Sequence, residues 1–199
     1  MLPRPISICE VDREKNRLRI VYRRAGKGTG EFSDYKEGES IDILGTLGNG
    51  FPLEKAKGKK CFLMGGGIGI PPILQLAKEL QTAGSEEVNI VAGYRNSDLF
   101  LSEDLKQYGR LFVATEDGSA GSKGNVMNAI EENDLKGEVI FACGPMPMLR
   151  AIKKFAEENE IEAYISLEER MACGVGACLG CVCKTVHKDE HSQVHNARI

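Results

Sequence analysis

The chain changes its hydrophobic pattern near Lys59. Before that residue, short apolar stretches are separated by polar residues and by Gly-rich segments, a pattern typical of β-strands and turns. The pattern predicts short strands at residues 5–10, 18–23 and 40–44, and it contains no helical periodicity. Three strands cannot close a barrel or cover both faces of a sheet, so we expect an incomplete antiparallel β-barrel in this region.

After Lys59, short apolar runs alternate with segments in which apolar residues recur at helical spacing. The runs are CFLM, VNIVAGY, RLFVAT, EVIFAC and AYISL. Ile73, Ala77 and Leu80, for example, fall on one face of a helix. The alternation predicts an α/β domain with a parallel sheet of about five strands and right-handed crossovers. Beyond Leu167 neither period continues, and we expect a loop-like tail.

These patterns divide the chain into three predicted domains. Residues 1–55 form the partial β-barrel, residues 56–167 form the α/β domain, and residues 168–199 form a small Cys-rich tail. The stretch from Gly45 to Gly58 is rich in Gly, Pro and Lys, which is typical of a linker between the first two domains.

Composition and charge narrow the classes of function. With 199 residues and 42% apolar content, the chain can bury a substantial core. A formal net charge of −3 supplies no basic field for nucleic acid or an anionic membrane. No apolar run approaches the roughly 20 residues that span a bilayer, and the first residues lack the order of a signal peptide. We therefore expect a cytoplasmic protein that binds small molecules and protein partners.

A Gly-rich turn follows the first strand of the predicted parallel sheet. It contains Gly65, Gly66, Gly67 and Gly69, and prolines open the helix that follows. Glycines let backbone amides approach a pyrophosphate, and the start of a helix favours its negative charge. The spacing departs from G-x-G-x-x-G, so a packing turn without a ligand remains an alternative.

Two more loops are predicted at the same edge of the sheet. Thr115, Asp117 and Gly118 follow the third strand, and Cys143 and Gly144 follow the fourth. Ligands of parallel sheets bind at this edge, so the three loops together predict a nucleotide site. A polar turn and a helix start after a buried cysteine are the alternatives for the two loops taken singly.

The loop after the second strand does not identify the nucleotide. It carries Arg95, which suits a 2′-phosphate, and no clear acidic residue for a ribose 2′-hydroxyl. A solvated charge beside a helix start explains Arg95 equally well. The residues alone therefore do not distinguish NAD from NADP.

The tail contains a characteristic cysteine spacing. Cys173, Cys178 and Cys181 have the C-x₄-C-x₂-C spacing of plant-type [2Fe–2S] proteins. The glycines between them let the backbone wrap closely around a cluster. Such a site needs a fourth thiolate. Either Cys183 supplies it or the fourth cysteine belongs beyond Ile199, and we favour the second.

Zinc is the minor alternative for the tail. Cys178 and Cys181 also have a zinc-like C-x₂-C spacing, and His187, His191 and His195 recur every four residues. The spacer before His187 is shorter than in zinc fingers, and no helical period supports the segment. A solvated tail explains the histidines without any metal.

The residues R-P-I-S at 4–7, Tyr22-Arg23 and G-K-G-T at 26–29 resemble the flavin-binding signature of the ferredoxin–NADP reductase superfamily. Together with the Gly-rich turn, the C-G-P-x-P-M segment at 143–148 and the cysteine spacing, the sequence is similar over nearly its whole length to the electron-transfer subunits of NAD-dependent dihydroorotate dehydrogenase B. That family also has an earlier part of the flavin barrel and a fourth cluster cysteine, which are not seen here.

The resemblance implies FAD, a [2Fe–2S] cluster and NAD as cofactors. The residues expected at FAD are Arg4, Pro5, Ile6, Ser7, Val21, Tyr22, Arg23, Gly28 and Thr29. Arg4 would bind the FAD pyrophosphate, Ser7 would lie near the isoalloxazine, and Cys143 would lie near the nicotinamide. Tyr22 and Arg23 would flank the ribityl–phosphate portion, with Gly28 and Thr29 bonding to phosphate.

The resemblance also implies a partner and a pathway. Electrons would pass between NAD and the FMN of a separate catalytic subunit that oxidises dihydroorotate in pyrimidine biosynthesis, in a heterotetramer of two copies of each subunit. Two alternatives remain. A subunit of a ferredoxin–NADP oxidoreductase or of a sulfur-reducing hydrogenase complex would share the flavin and nucleotide motifs. A non-enzymatic iron–sulfur or zinc module that senses nucleotide would have no flavin and no diaphorase activity.

Overall fold

The computed structural model describes residues 4–169, 171–188 and 194–199. Its contacts divide the chain into two compact units. The unit that we call the sheet unit contains Ser7–Val21 and Phe51–Ser166. The other, the tail unit, contains the described residues of 1–6, 22–50 and 167–199. The three-domain division predicted above was drawn from the hydrophobic pattern, and it stays a prediction.

Ten strands and five helices lie in the described part of the chain. The strands are β1 (Ile8–Asp12), β2 (Arg17–Ile20), β3 (Lys60–Gly66), β4 (Glu87–Tyr94), β5 (Arg110–Thr115), β6 (Ser122–Lys123), β7 (Val139–Cys143), β8 (Glu162–Ser166), β9 (Val182–Lys184) and β10 (Asn196–Arg198). The helices are α1 (Lys27–Phe32), α2 (Ile70–Ala83), α3 (Ser102–Leu105), α4 (Val126–Glu132) and α5 (Met146–Glu158), with 3₁₀ turns at Leu53–Ala56 and Gly67–Gly69.

The sheet unit is built on a parallel sheet of six strands in the order β6-β5-β4-β3-β7-β8. The five predicted apolar runs all form strands of this sheet. The predicted number is wrong by one, because β6 also joins the sheet beside Ala114 and Thr115. With only two residues, Ser122 and Lys123, β6 has no apolar run that could reveal it.

Both faces of the central strands are buried. Leu63 and Phe141 face α2 and are fully buried, with the predicted apolar face of that helix against them. Successive strand residues point to opposite faces, so Phe62 faces the other side, where its ring lies 6.5 Å from that of Phe155 on α5. Continuous apolar strands of this kind are what a parallel sheet covered on both faces requires.

The β1–β2 hairpin is antiparallel and packs on α2. The Val11 N–H donates to Gln75 Oε1 at 2.8 Å, and Lys78 Nζ donates to the Val11 carbonyl at 3.0 Å. Arg19 pairs with Asp104 on α3 at 2.9 Å. The two strands confirm the first two predicted strands, with bounds displaced by a few residues.

The tail unit departs from the expectations in three places. The predicted strand at residues 40–44 is wrong, because this backbone pairs with no described strand and Ile43 is 71% exposed. A helix, α1, forms where no helical period was seen. The expected loop after Leu167 contains a short hairpin in which β9 pairs with β10.

Among the described residues, no helix combines the length and the apolar character that a membrane crossing needs.

Cys61 on β3 provides a test of the buried sheet. It is fully buried, and burial raises the pKa of its thiol to about 11. Because the buried thiol keeps its proton more firmly than the unfolded one, it stabilises the fold fully at pH values below the ordinary thiol pKa near 9. This stabilisation is lost as the pH rises from there towards the folded-state pKa of about 11. Urea unfolding of the wild type and of Cys61→Ala should therefore give a stability difference that shrinks by about 1–2 kcal/mol between pH 8.5 and 10.5.

The matched control is Val139→Ala. Val139 pairs with Cys61 in the sheet, is fully buried, and has no group to ionise. Its stability difference should stay constant over the same pH range. A Cys61→Ala difference that is equally constant would contradict the burial argument.

Candidate functional site

The direction in which the chain adds strands to the sheet changes at β3. From β3 the chain proceeds to β4, β5 and β6 on one side, and it then returns to β7 and β8 on the other. The loop after β3 and the loop after β7 therefore leave the carboxyl edge of the sheet in opposite directions. Such a switch point opens a crevice in which open α/β sheets bind their ligands.

The Gly-rich turn lies at this switch point. β3 ends at Gly66, and the residues Gly67–Gly69 lead into the 14-residue helix α2. Gly67 is exposed with φ +52°, and no atom lies within 4 Å of the position that a Cβ would occupy. Open space therefore lies beside the turn at Gly67, whereas Gly69 and Ile70 are buried. An open glycine backbone next to the positive end of a helix dipole fits the pyrophosphate of a dinucleotide.

The turn packs directly on the loop after β7. A Cβ on Gly69 would lie 2.2 Å from the Cys143 carbonyl oxygen and 2.7 Å from the Gly144 nitrogen. Gly65 pairs with Cys143 in the sheet. The structure thus brings together the predicted residues of the first and third loops.

The second loop lies at the same edge, two strands away. Tyr94 of β4 pairs with Thr115 of β5 at the ends of these strands. The fully buried Thr115 hydroxyl donates to the Ala120 carbonyl at 2.7 Å. Asp117 accepts hydrogen bonds from the Ser119 hydroxyl and backbone N–H at 2.6 Å and 2.9 Å, which lowers the pKa of the Asp117 carboxyl. Both side chains therefore stabilise their own loop, and Gly118 adopts φ +77° in its turn.

One residue of this edge was missed by the sequence analysis. Met148, in the first turn of α5, lies against both Gly66 and Gly144. An apolar residue at a helix start is usually part of the core, so the presence of a methionine there does not indicate a functional site. The available signal was its spacing, four residues after Gly144 in the C-G-P-x-P-M segment.

Several residues predicted at FAD lie together in the tail unit. A Cβ on Gly28 would lie 2.8 Å from Arg4 Nη2, so the guanidinium rests on the backbone of α1. The Thr29 hydroxyl accepts from the Ala25 N–H at 2.9 Å and donates to the Gly26 carbonyl at 3.2 Å. The contact between Arg4 and Gly28 joins two motifs that are 24 residues apart in the sequence.

The other predicted FAD residues have different surroundings. The Tyr22 ring meets the Phe32 ring edge-on at 5.9 Å, while Arg23 and Pro5 are exposed and Ile6 is half-buried. In the sheet unit, Ser7 is exposed and Val21 packs against the core.

The cysteine loop is built to stabilise a thiolate. The Cys178 N–H donates to Cys173 Sγ at 3.4 Å. Hydrogen bonds from backbone amides, that of Cys178 foremost and that of Val175 next, lower the pKa of the Cys173 thiol to about 6. Gly174 and Gly176 have φ of +70° and +74°, which allows the backbone to turn its amides towards the sulfur. Amide donors of this kind are the environment that iron–sulfur thiolates use, so the loop fits a cluster.

The remaining ligand candidates of the tail differ in exposure. Cys181 is buried, Cys178 is exposed, and Cys183 lies half-buried on β9 opposite Ala197. Within the described residues, no three His, Cys, Asp or Glu side chains are grouped so that they could hold a metal ion. The fit to a cluster therefore rests on the spacing and the amide donors.

The histidines of the zinc alternative do not join the cysteines in the described part of the tail. His187 is exposed, and His195 Nδ1 lies 3.0 Å from the Val186 carbonyl. His191 lies outside the described residues. Zinc therefore gains no support from this geometry.

The fold and its Gly-rich edge define a ferredoxin–NADP reductase-like oxidoreductase. A solved structure of an NADH-dependent reduced ferredoxin–NADP oxidoreductase aligns with a TM-score of 0.82 and 29% identity, covering 98% of this chain and 71% of that one. A flavohemoglobin from Malassezia yamatoensis with bound FAD and heme aligns with a TM-score of 0.61, covering 78% of this chain and 45% of that one. The flavohemoglobin is 22% identical, so it shows a common fold only.

The sequence comparisons identify the family. Residues 63–154 match the oxidoreductase NAD-binding domain, and residues 168–197 match the iron–sulfur cluster binding domain of dihydroorotate dehydrogenase B. The dihydroorotate dehydrogenase B (NAD(+)) electron transfer subunit of Bacillus caldolyticus is 45% identical over 92% of this chain and 71% of that protein. The subunit of Bacillus pumilus (strain SAFR-032) is 44% identical over 98% and 74%. The chain belongs to this family of electron transfer subunits, which confirms the resemblance stated above.

The contact between Gly69 and the loop after β7 leads to a stability prediction. In Gly69→Ala the new methyl group would overlap backbone atoms of Cys143, which cannot rotate away. We expect a loss of about 1–3 kcal/mol in the free energy of unfolding, measured in urea. In the control, Gly66→Ala, the methyl group would mainly meet the flexible end of Met148, at 2.6 Å from Sδ. A loss in Gly69→Ala that is no larger than in this control would be inconsistent with the backbone contact.

Proposed function

We propose that this chain carries electrons between NAD and a dihydroorotate-oxidising partner subunit, using bound FAD and a [2Fe–2S] cluster. The observation that carries the proposal is that one chain combines a nucleotide edge at a sheet switch point with an amide-rich C-x₄-C-x₂-C loop, in a family of electron transfer subunits. When bound, the flavin would exchange single electrons with the cluster and a hydride with the nicotinamide nucleotide.

The residues of the sheet edge would hold the dinucleotide. The open backbone at Gly67 would bind the pyrophosphate, because the dipole of α2 places partial positive charge beside it. Pro71 and Pro72 carry no N–H, so the first turn of the helix would act through this dipole. The loop that begins at Thr115 would line the crevice farther along the edge. Cys143 and Gly144, held against Gly69, would lie beside the nicotinamide ring.

The Arg4 side chain is the main protein cation proposed for FAD. Its guanidinium offers a planar set of donors that suits pyrophosphate oxygens, and the lack of a side chain at Gly28 lets it lie close to the backbone. Tyr22, Arg23 and Thr29, in the same unit as Arg4, would contact the same cofactor. We assign the β1–β2 hairpin to the flavin-binding barrel.

The cysteine loop would ligate the cluster through Cys173, Cys178 and Cys181. Backbone N–H groups that donate to Cys173 Sγ would also stabilise the ligated thiolate. Among the cysteines of this chain, Cys183 is the remaining one of the tail that could supply a fourth thiolate. Cys183 is on β9, where its backbone is paired opposite Ala197.

The partner would be a catalytic subunit that contains FMN and oxidises dihydroorotate, with two copies of each subunit in the complex. The relatives are named as electron transfer subunits, a name that requires a separate catalytic subunit. The ferredoxin–NADP oxidoreductase alternative is less well supported, since that structure is 29% identical while the dihydroorotate dehydrogenase B subunits reach 45%.

An anaerobic absorbance titration tests the proposed function. The full chain, expressed with iron and sulfide, should show flavin and cluster bands that bleach when NADH is added. The variant Cys178→Ser should lose the cluster bands and keep a flavin band that NADH still bleaches. A protein whose flavin or cluster bands are unchanged by NADH would refute the electron path, and a colourless protein that binds zinc would favour the regulatory alternative.

The role of Gly67 is tested by a matched pair of variants. Gly67→Ala places a methyl group on the open side of the turn at φ +52°, where we expect about a tenfold weaker NADH affinity. Gly84→Ala introduces the same kind of strain at φ +80°, also into open space, at the other end of α2. Both variants should lose about 1–2 kcal/mol of stability. Equal NADH affinities in the two variants would place the nucleotide elsewhere.

A further inference from the structure

Met148 lies across the ends of two neighbouring strands. Gly65 pairs with Cys143, so Gly66 at the end of β3 adjoins Gly144 just after β7. A Cβ on Gly66 would lie 2.6 Å from Met148 Sδ, and a Cβ on Gly144 would lie 2.4 Å from Met148 Cε. Atoms do not approach so closely. The thioether therefore occupies a slot that exists because both residues lack a side chain.

The loop after β7 is consequently held from two sides. On the α2 side, Gly69 contacts the Cys143 carbonyl and the Gly144 nitrogen. On the α5 side, the Met148 side chain contacts Gly144 and reaches over to Gly66. The peptide unit between Cys143 and Gly144 thus lies between Gly69, which precedes α2, and the Met148 thioether.

Met148 differs from its neighbour in the helix. Leu149 is 2% exposed and belongs to the core of the sheet unit, whereas Met148 is only half-buried. A methionine side chain is unbranched and polarisable, so it can fill a flat slot along two backbones. Its position between two glycines at the switch point indicates a role in the site in addition to packing.

We propose that Met148 is a positioning residue for the nicotinamide half of the dinucleotide. This inference rests on the proposed function, in which Cys143 and Gly144 lie beside the nicotinamide. Met148 acts through the Cys143–Gly144 peptide, because its side chain keeps that peptide against β3 and so sets the width of the crevice there. The pyrophosphate is bound at Gly67 and the start of α2, so this half of the site does not depend on Met148.

Calorimetric titration of the full chain with NAD⁺ and with ADP-ribose, which lacks the nicotinamide, tests the inference. Met148→Ala should weaken NAD⁺ binding by about tenfold, equivalent to about 1.4 kcal/mol, and change ADP-ribose binding by less than about twofold. Met148→Leu nearly conserves the volume, so it should restore most of the NAD⁺ affinity.

Two further variants separate positioning from stability. Leu149→Ala removes a core side chain and should lower the free energy of unfolding by about 2–5 kcal/mol while leaving both affinities unchanged. In the double variant Gly66→Ala, Met148→Ala, the new methyl group gains the space that the thioether vacates. The stability lost in Gly66→Ala should be partly recovered there, which demonstrates the contact directly.

Three results would overturn the inference. Met148→Ala could weaken NAD⁺ and ADP-ribose equally, or Leu149→Ala could weaken NAD⁺ as much as Met148→Ala does. Either result would leave Met148 with a structural role alone. If the wild-type chain binds neither nucleotide, the proposed function itself fails and this inference fails with it.

Discussion

The direct backbone contact between the start of α2 and the loop after β7 is the constraint on which the nucleotide edge depends. Gly69 would place a Cβ 2.2 Å from the Cys143 carbonyl, so the two backbones touch where a side chain would separate them. This contact brings the N-terminal end of a 14-residue helix to the switch point of the sheet. A larger residue at this position would move the helix start, and with it the positive end of the helix dipole.

Both candidate sites of the chain have local positive potential from the backbone, where the overall charge offers no help. With a formal net charge of −3, the chain has no general field that attracts anions. At the sheet edge, the start of α2 supplies local positive potential beside Gly67. In the cysteine loop, amide donors act on the Cys173 sulfur and lower its pKa to about 6. A pyrophosphate and a thiolate are both anions, so the backbone would stabilise both in the function that we propose.

The central sheet was predictable from sequence because its signal is local. Strands buried on both faces are continuous apolar runs, and all five runs became strands of the sheet. β6 was missed because its two polar residues join the sheet through the backbone alone. The α1 segment KGTGEF contains two glycines, which have low helix propensity, so its helix was not visible either.

The other features that the sequence did not reveal depend on residues far apart in the chain or on the backbone conformation. Residues 40–44 have the alternation of a strand, yet a strand needs a neighbour to pair with, and the described residues supply none. The cysteine spacing predicts three cluster ligands, and that assignment stays a prediction. The hydrogen bonds to Cys173 could not be predicted, because they depend on the backbone conformation at Gly174 and Gly176. Met148 was overlooked because its role depends on two glycines of different strands, which only the sheet register brings together.

The hairpin β1–β2 packs on the helix that begins at the Gly-rich turn, within the sheet unit. Ser7 and Val21 flank this hairpin, and Gln75 and Lys78 of α2 bond to the backbone of β1 at Val11. The same helix begins at the Gly-rich turn. Hydride transfer requires the two rings to meet within a few tenths of an ångström of their reactive geometry. In the proposed function, α2 would carry the nucleotide turn at one end and hold the hairpin next to Ser7 and Val21 along its side, so this helix would help to maintain that geometry.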